Sequence, residues 1–322
     1  MGLQLKTAII SDIHGNNPAL EAVLADAAVH GVDRYVFAGD YVFDAPFPNE
    51  SVQTMMALPN TYAIAGNKEG YLDWLQNDKE INWACKQMGS MFQSFDELTP
   101  ENIAYLERLP RTLHVPMDRG NIYVTHSIEG LNYRARWNTS TSLFHDRMRK
   151  QSFSYQDYAR AFADMLADDD WLQMMAPIDA NVIVFGHNHL QGHGYCGSKL
   201  IINPGSCGVP MDGDNRAAYT ILEESKDGLA VTERRVPYDV EDLIRKMMAS
   251  PTYARGREWC EICILNWRTG IDHIHDVFAI ARQIAGAKGE NGMFFADETW
   301  GEAYESFCQN YKPMDKKGYQ HG

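Results

Sequence analysis

A short apolar run that ends at once in Asp, Asn or His recurs five times in the first two-thirds of the chain. "TAIISDIHG" runs out in Asp12 and His14, "RYVFAGD" in Asp40, "TYAIAGN" in Asn67, "NIYVTH" in His126 and "NVIVFGHNH" in His187 and His189. Runs of four to six β-branched, Ala or aromatic residues suit strands buried on both faces of a layered sheet. Between the first two lies "NPALEAVLADAAVHG", with Asn17 as N-cap, Pro18 in the first turn and Gly31 as the stop. Leu20, Val23, Leu24 and Ala27 form its apolar stripe. Strand, helix, strand is the signature of an α/β fold. Ligands in such folds bind beyond the carboxyl ends of the strands. Every polar cluster here falls at such an end, so side chains far apart in sequence can converge.

Two segments depart from the pattern. Residues 70–115 read as helical, with Thr99 as N-cap, Pro100 after it and Pro110 as a stop. Residues 128–180 separate two site-bearing strands, and the helical spacing of "DYARAFADMLADDDWLQMMA" predicts a cap over one rim of the site. Strand-like "KLIINPGSCG", "AAYTILEE" and "LAVTERRVPY" follow. From Asp239 the pattern turns helical, including "GIDHIHDVFAIARQIAG" with Ile271, Ile274, Val277, Phe278, Ala281 and Ile284 at helical spacing. The expected layout is a core domain over 1–238, with the insertion 128–180, and a helical extension over 239–322 packed on the core. Beyond Gly286 the tail is polar and poorly patterned, with a frayed end expected.

Charge and cysteine usage narrow the function. The 322 residues carry a net charge of −14 without a Lys/Arg stripe, which argues against nucleic acid as partner. An acidic chain can still take an anionic substrate when metal ions supply positive charge. Six scattered cysteines do not make a disulfide framework. No apolar run nears the ~20 residues that span a bilayer, and the N-terminus has no signal-peptide pattern. No membrane partner and a cytoplasmic location are expected; the sequence carries no reading of oligomeric state. "WCEIC" (259–263) fits core thiols one helical turn apart, and "ADDDW" (167–171) a solvated acidic patch or helix boundary. His273 and His275, two apart on a helix, face away from each other.

The seven clustered residues carry the chemistry. If the D-x-H and H-x-H pairs are extended, each presents two side chains on one side. With Asp40, Asn67 and His126 they suffice for two divalent or trivalent ions. Mixed imidazole and carboxylate donors suit Mn, Fe, Co, Ni or Zn. Two ions ~3.5–4 Å apart would clamp a phosphoryl group and activate water.

These motifs resemble the calcineurin-like metallophosphoesterases. The family pattern D-x-H, G-D, G-N-H-[DE], His, G-H-x-H is met by Asp12-Ile13-His14, Gly39-Asp40, Gly66-Asn67-Lys68-Glu69, His126 and Gly186-His187-Asn188-His189. The resemblance spans about residues 5 to 225. It implies an α/β, four-layered αββα sandwich and two metal ions, Mn or Fe favoured. Asp12, His14 and His189 would hold one ion, Asn67, His126 and His187 the other, with Asp40 bridging. Lys68 departs from the pattern, standing where the family has a His that donates to the phosphate or leaving group. "RRVPYDVEDLIRKM" and "TGIDHIHDVF" are similar to a bacterial subgroup without that His, often described as diadenosine-tetraphosphatase-like.

The implied activity is a phosphohydrolase in which a metal-bridging hydroxide attacks phosphorus. Asn67, Lys68 and His126 are the candidate catalytic residues. A lysine is a good charge-assisted donor but a poor acid at neutral pH, which suits leaving groups that depart unprotonated. The expected substrate is a small-molecule phosphate, first a nucleoside polyphosphate such as a diadenosine polyphosphate, second a nucleotide or aryl phosphodiester. Arg134, Arg136, Arg147 and Arg149 are candidates to contact distal phosphates. A metal-containing binding module without activity is the alternative of a different class, which retention of all seven ligands disfavours.

Overall fold

The computed structural model describes residues 5–127 and 155–311. Each apolar run becomes a strand that stops just short of its polar cluster. The first part of the chain runs β1 (Leu5–Ile10), α1 (Asn17–Val29), β2 (Arg34–Phe37), α2 (Pro48–Met56), β3 (Thr61–Ala63) and α3 (Asn67–Asn77). Next come α4 (Gly89–Glu97), α5 (Pro100–Glu107), β4 (Thr112–Pro116) and β5 (Asn121–Thr125). Then follow α6 (Tyr155–Leu166), α7 (Asp169–Met175), β6 (Val182–Val184), β7 (Gln191–Cys196), β8 (Lys199–Pro204), β9 (Ala217–Ser225) and β10 (Gly228–Val236). Five helices close the described chain: α8 (Val240–Met248), α9 (Pro251–Arg255), α10 (Arg257–Thr269), α11 (Ile274–Lys288) and α12 (Asp297–Asn310).

Two mixed sheets result, ordered β10-β9-β1-β2-β3 and β4-β5-β6-β8-β7. Side-chain alternation decides which layer each residue serves. Ile9, Val36, Val124, Val182, Val184 and Ile202 fill the space between the sheets. Ala8, Ile10 and Phe37 turn outward onto Leu20 and Val23 of α1 and Phe92 of α4. On the far side Ile183 and Ile201 meet Phe162 and Met165 of α6 and Trp171 of α7. The layers run helix, sheet, sheet, helix. The C-terminal helices bury Leu243, Trp267, Val277 and Trp300 together with Ala45, Val209 and Met211. These last three belong to loops beyond strand ends, so the extension is docked on the site-bearing end of the sheets.

Several expectations are refined. Asn16, not Asn17, caps α1, accepting from the Ala19 N–H, whereas Thr99 caps α5 as read. The helical reading of 70–115 ends at β4, which pairs with β5. α6 and α7 fall within the segment expected to cap the site, and they lie on the outer face of the second sheet instead. Residues 128–154, with Arg134, Arg136, Arg147 and Arg149, lie outside the described residues. "ADDDW" is a helix boundary: the Asp168 carboxylate accepts from the Asp170 N–H at 2.9 Å. Left-handed Gly270 ends α10, so Ile271 precedes α11 and bridges Asp212. The tail read as unpatterned contains α12, whose Trp300, Ala303 and Phe307 are buried. Cys260 and Cys263 are buried free thiols. Among the described residues no helix is long and apolar enough to cross a membrane.

Candidate metal centre

The seven candidate ligands meet beyond the carboxyl ends of β1, β2, β3, β5 and β6. Strand alternation is not what aims them. Asp12, His14, Asp40, His187 and His189 all have left-handed backbone, with φ of 56°, 53°, 59°, 71° and 58°. This conformation is costly for residues with a Cβ and gathers at functional sites. In both D-x-H and H-x-H it is a left-handed–x–left-handed loop that turns the two side chains the same way. Close approach of these loops requires small neighbours: a Cβ on Gly186 would lie 2.1 Å from Ser11 Oγ and 2.6 Å from Asp12 Oδ2.

Imidazole nitrogens crowd together in two groups. His14 Nε2 is 3.2 Å from His189 Nε2, and Asp12 Oδ1 lies 3.7 Å from the first and 3.3 Å from the second. Nearby, Asn67 Oδ1 is 3.0 Å from His126 Nε2 and 2.9 Å from His187 Nδ1. Asp40 Oδ2 reaches both groups, 3.8 Å from His14 Nε2 and 3.4 Å from His126 Nε2.

The other nitrogen of three rings fixes its tautomer. His189 Nδ1 donates to Val209 O at 2.6 Å and His126 Nδ1 to Ala38 O at 2.7 Å, since a carbonyl only accepts. His14 Nδ1 faces Asp44 Oδ2 at 2.6 Å. When neutral, each ring therefore turns a lone pair on Nε2 into the centre, toward another acceptor. Such contacts repel unless a proton or a cation lies between them. The donor set fits a divalent transition ion in each group, and the outward-facing Nδ1 contacts are those that orient metal-ligating histidines. Asp12, His14 and His189, and Asp12, Asp40 and His126, each bring three ligand atoms within 4.8 Å of one another.

Charges follow the same logic. Burial opposes ionisation of His14, but Asp12 and Asp44 outweigh it and push the ring up to about 9. Burial likewise opposes His126, and Asp40 raises it to about 10. Burial together with the His126 charge holds His187 down at about 4. Asp12, wholly buried, is kept well below the usual carboxylate range by imidazoles, His189 foremost. Without metal, protons stand in for cations.

Two residues to which the sequence reading assigned no role hold the centre together. Glu69, buried in the first turn of α3, accepts from the backbone N–H groups of Asp40 (2.9 Å), Tyr41 (2.8 Å) and Gly66 (2.8 Å). It thereby ties the second strand end to the third. The other is Asp44, whose Oδ1 accepts from Trp259 Nε1 at 2.8 Å while Oδ2 lies 3.2 Å from Lys68 Nζ. The G-N-x-[DE] pattern gave a signal for Glu69; Asp44 had none. Lys68 also works through its backbone, its N–H donating to Asp40 Oδ1 at 2.8 Å. Its side chain is 17% exposed and lines a cavity of about 410 Å³ with His14, Asp40, Asn67, His187 and His189. Burial disfavours the ammonium there, yet Asp44 holds it above the usual lysine value.

A family model described as the calcineurin-like phosphoesterase superfamily domain matches residues 5–227. The chain belongs to that superfamily. The match ends at the turn between β9 and β10, and α8–α12 lie beyond it. An uncharacterized protein of Methanocaldococcus jannaschii is 27% identical over 256 residues, which cover 78% of this phosphoesterase and 94% of that protein. The fold is shared with a metallophosphoesterase from Sphaerobacter thermophilus, 23% identical over 83% of this chain and 99% of that one, with a TM-score of 0.57. A hypothetical protein from Pyrococcus horikoshii, 16% identical over 80% of this chain and 97% of that one, also has a TM-score of 0.57. The candidate metal groups and the superfamily agree on a metal-dependent phosphoesterase.

Proposed function

We propose that this phosphoesterase hydrolyses phosphoanhydrides and esters with stabilised leaving groups, nucleoside polyphosphates foremost, with two transition ions held by the seven strand-end ligands. Asp12, His14 and His189 hold one ion, Asn67, His126 and His187 the other, and Asp40 is shared. The observation that carries the ligand assignment is the facing of ring nitrogens across 3.2 Å, with Asp40 Oδ2 in reach of both groups. Bound cations would polarise the phosphoryl oxygens and acidify water. Mn or Fe suits this imidazole–carboxylate set.

The leaving-group preference follows from Lys68. Asp44, which also contacts His14, fixes the ammonium in the cavity wall, where a phosphate oxygen would find a charge-assisted donor. Asp44 favours the charged form of Lys68, so this position supplies charge rather than acid. A departing phosphate or aryl oxide needs no proton, whereas an alkoxide does.

Lys68→His tests this. The ratio of kcat/KM for an alkyl phosphate over that for an aryl phosphate is expected to rise in the variant, since proton donation matters more as leaving-group pKa climbs. Equal change for both substrates removes the leaving-group argument. No hydrolysis of an aryl phosphate or of a dinucleoside polyphosphate by manganese-loaded wild-type protein removes the proposed activity.

A further inference from the structure

The cavity that receives the ligands has a second half, built by chain that lies beyond the phosphoesterase core. Trp259 of α10, Ile274 and Phe278 of α11, and Phe294 line it, and all follow residue 227, where the family match ends. Tyr71 of α3 adds a fourth ring to the lining. The rings are braced from behind. Trp259 and Phe278 have centroids 6.0 Å apart, Phe278 lies 5.9 Å from buried Trp300, and Phe294 packs on Trp74 at 5.7 Å. The Trp259 indole is fixed further by its hydrogen bond to Asp44, the carboxylate that also contacts His14 and Lys68. One hydrogen bond therefore joins the aromatic wall to the metal centre.

A free phosphate does not need such a wall. The cavity's volume of about 410 Å³ falls in the range of sites for whole small molecules, ~300–1,000 Å³. The metal-ligand candidates, Asp44 and Lys68 gather at the strand-end side, whereas rings and aliphatic side chains dominate the rest of the lining, with Gln87, Ser90 and His275 as its polar members. A ligand that matches both halves has a phosphoryl head and an apolar body. Four ring-bearing walls favour a planar π-system over an aliphatic body, because offset and edge-to-face ring contacts add to burial.

We propose that the C-terminal helical extension is the specificity element of this enzyme, seating the planar aromatic group of the substrate, a nucleobase or aryl ring, against Trp259, Phe278 and Phe294 while the phosphoryl head lies at the strand ends. The inference rests on the proposed phosphohydrolase reading and names the part of the substrate that reading leaves open. It assigns the extension to substrate choice and the core to chemistry.

Three phosphonates that cannot be hydrolysed test it, because they share one head and differ only in body: methyl, cyclohexyl and phenyl. Calorimetric binding to manganese-loaded protein is expected to favour phenylphosphonate over methylphosphonate by about tenfold, with cyclohexylphosphonate clearly weaker than phenyl. Phe278→Leu keeps apolar bulk but removes a ring. It should cut the phenyl preference to about two- to threefold and leave methylphosphonate binding unchanged, which also certifies an intact fold and head site. Phe294→Leu, made independently, should move the same ratio in the same direction. Equal binding of phenyl and methyl, equal binding of phenyl and cyclohexyl, or a phenyl preference that survives both variants overturns the aromatic seat. Failure of all three phosphonates to bind wild-type protein would instead remove the phosphoryl-head reading, and this inference with it.

Discussion

Asp44 Oδ2 lies 2.6 Å from His14 Nδ1 and 3.2 Å from Lys68 Nζ. A single buried carboxylate thus orients a candidate metal ligand and restrains the Lys68 ammonium beside it. Lys68 pairing also keeps Asp44 ionised against the cost of burial. The two positions are coupled, and a change at either is felt at the centre.

Asp44→Asn should therefore act on metal affinity without touching a ligand. Loss of such an outer partner typically costs ~10–100-fold. Chelator competition measures it, with Trp259→Phe as a milder companion that removes only the indole N–H. Affinity equal to wild type in Asp44→Asn would strip Asp44 of its orienting role.

Proton release gives a second test. Metal-free His14 and His126, raised to about 9 and about 10, carry protons at neutral pH, whereas a cation needs their lone pairs. Loading near neutral pH should release about two protons per chain, and affinity should climb with pH before flattening above those values. The sign for folding is opposite. Each raised value stabilises the metal-free fold fully below the ordinary histidine value of 6.5, and that contribution is lost as pH rises through about 9 and about 10. Calorimetry in two buffers of different protonation enthalpy reads the proton count, and none released would contradict the charge assignment.

Gly66→Ala probes the registration of the strand-end loops. The added Cβ would fall 2.2 Å from Asp40 Oδ1 and 2.6 Å from Asp40 N, so the loop holding Asp40 must shift. Overpacking of this kind costs about 1–3 kcal/mol. Lower thermal stability with reduced metal content is expected. A variant that melts and loads as wild type would mean that the Asp40 loop is not held in register.

Strand ends were legible because a buried strand announces itself by an unbroken apolar run, and Asp12, Asp40, Asn67, His126 and His187 each follow one. The reason the paired side chains converge was not legible, since left-handed φ at Asp12, His14, His187 and His189 leaves no mark on residue types other than glycine. β7 escaped notice because Gly192 and Gly194 interrupt it. Both are small so that α6 can approach: a Cβ there would meet Phe162 Cγ at 2.8 Å and Leu166 Cδ1 at 2.6 Å. α12 was hidden by acidic residues around a narrow face of Trp300, Ala303 and Phe307. Asp44 sits in a loop without periodicity, and its partner Trp259 lies 215 residues away. No local pattern could connect them.

Metal stoichiometry tests the account at its centre. Elemental analysis of purified, manganese-supplemented protein should give about two ions per chain, because the donors form two groups that share Asp12, with Asp40 Oδ2 in reach of both. Anomalous diffraction should place one ion between His14 and His189 and the other between His126 and His187. Asp40→Asn should lower occupancy at both positions together. One ion per chain, or a substitution that empties a single position and leaves the other full, would contradict the shared two-metal centre.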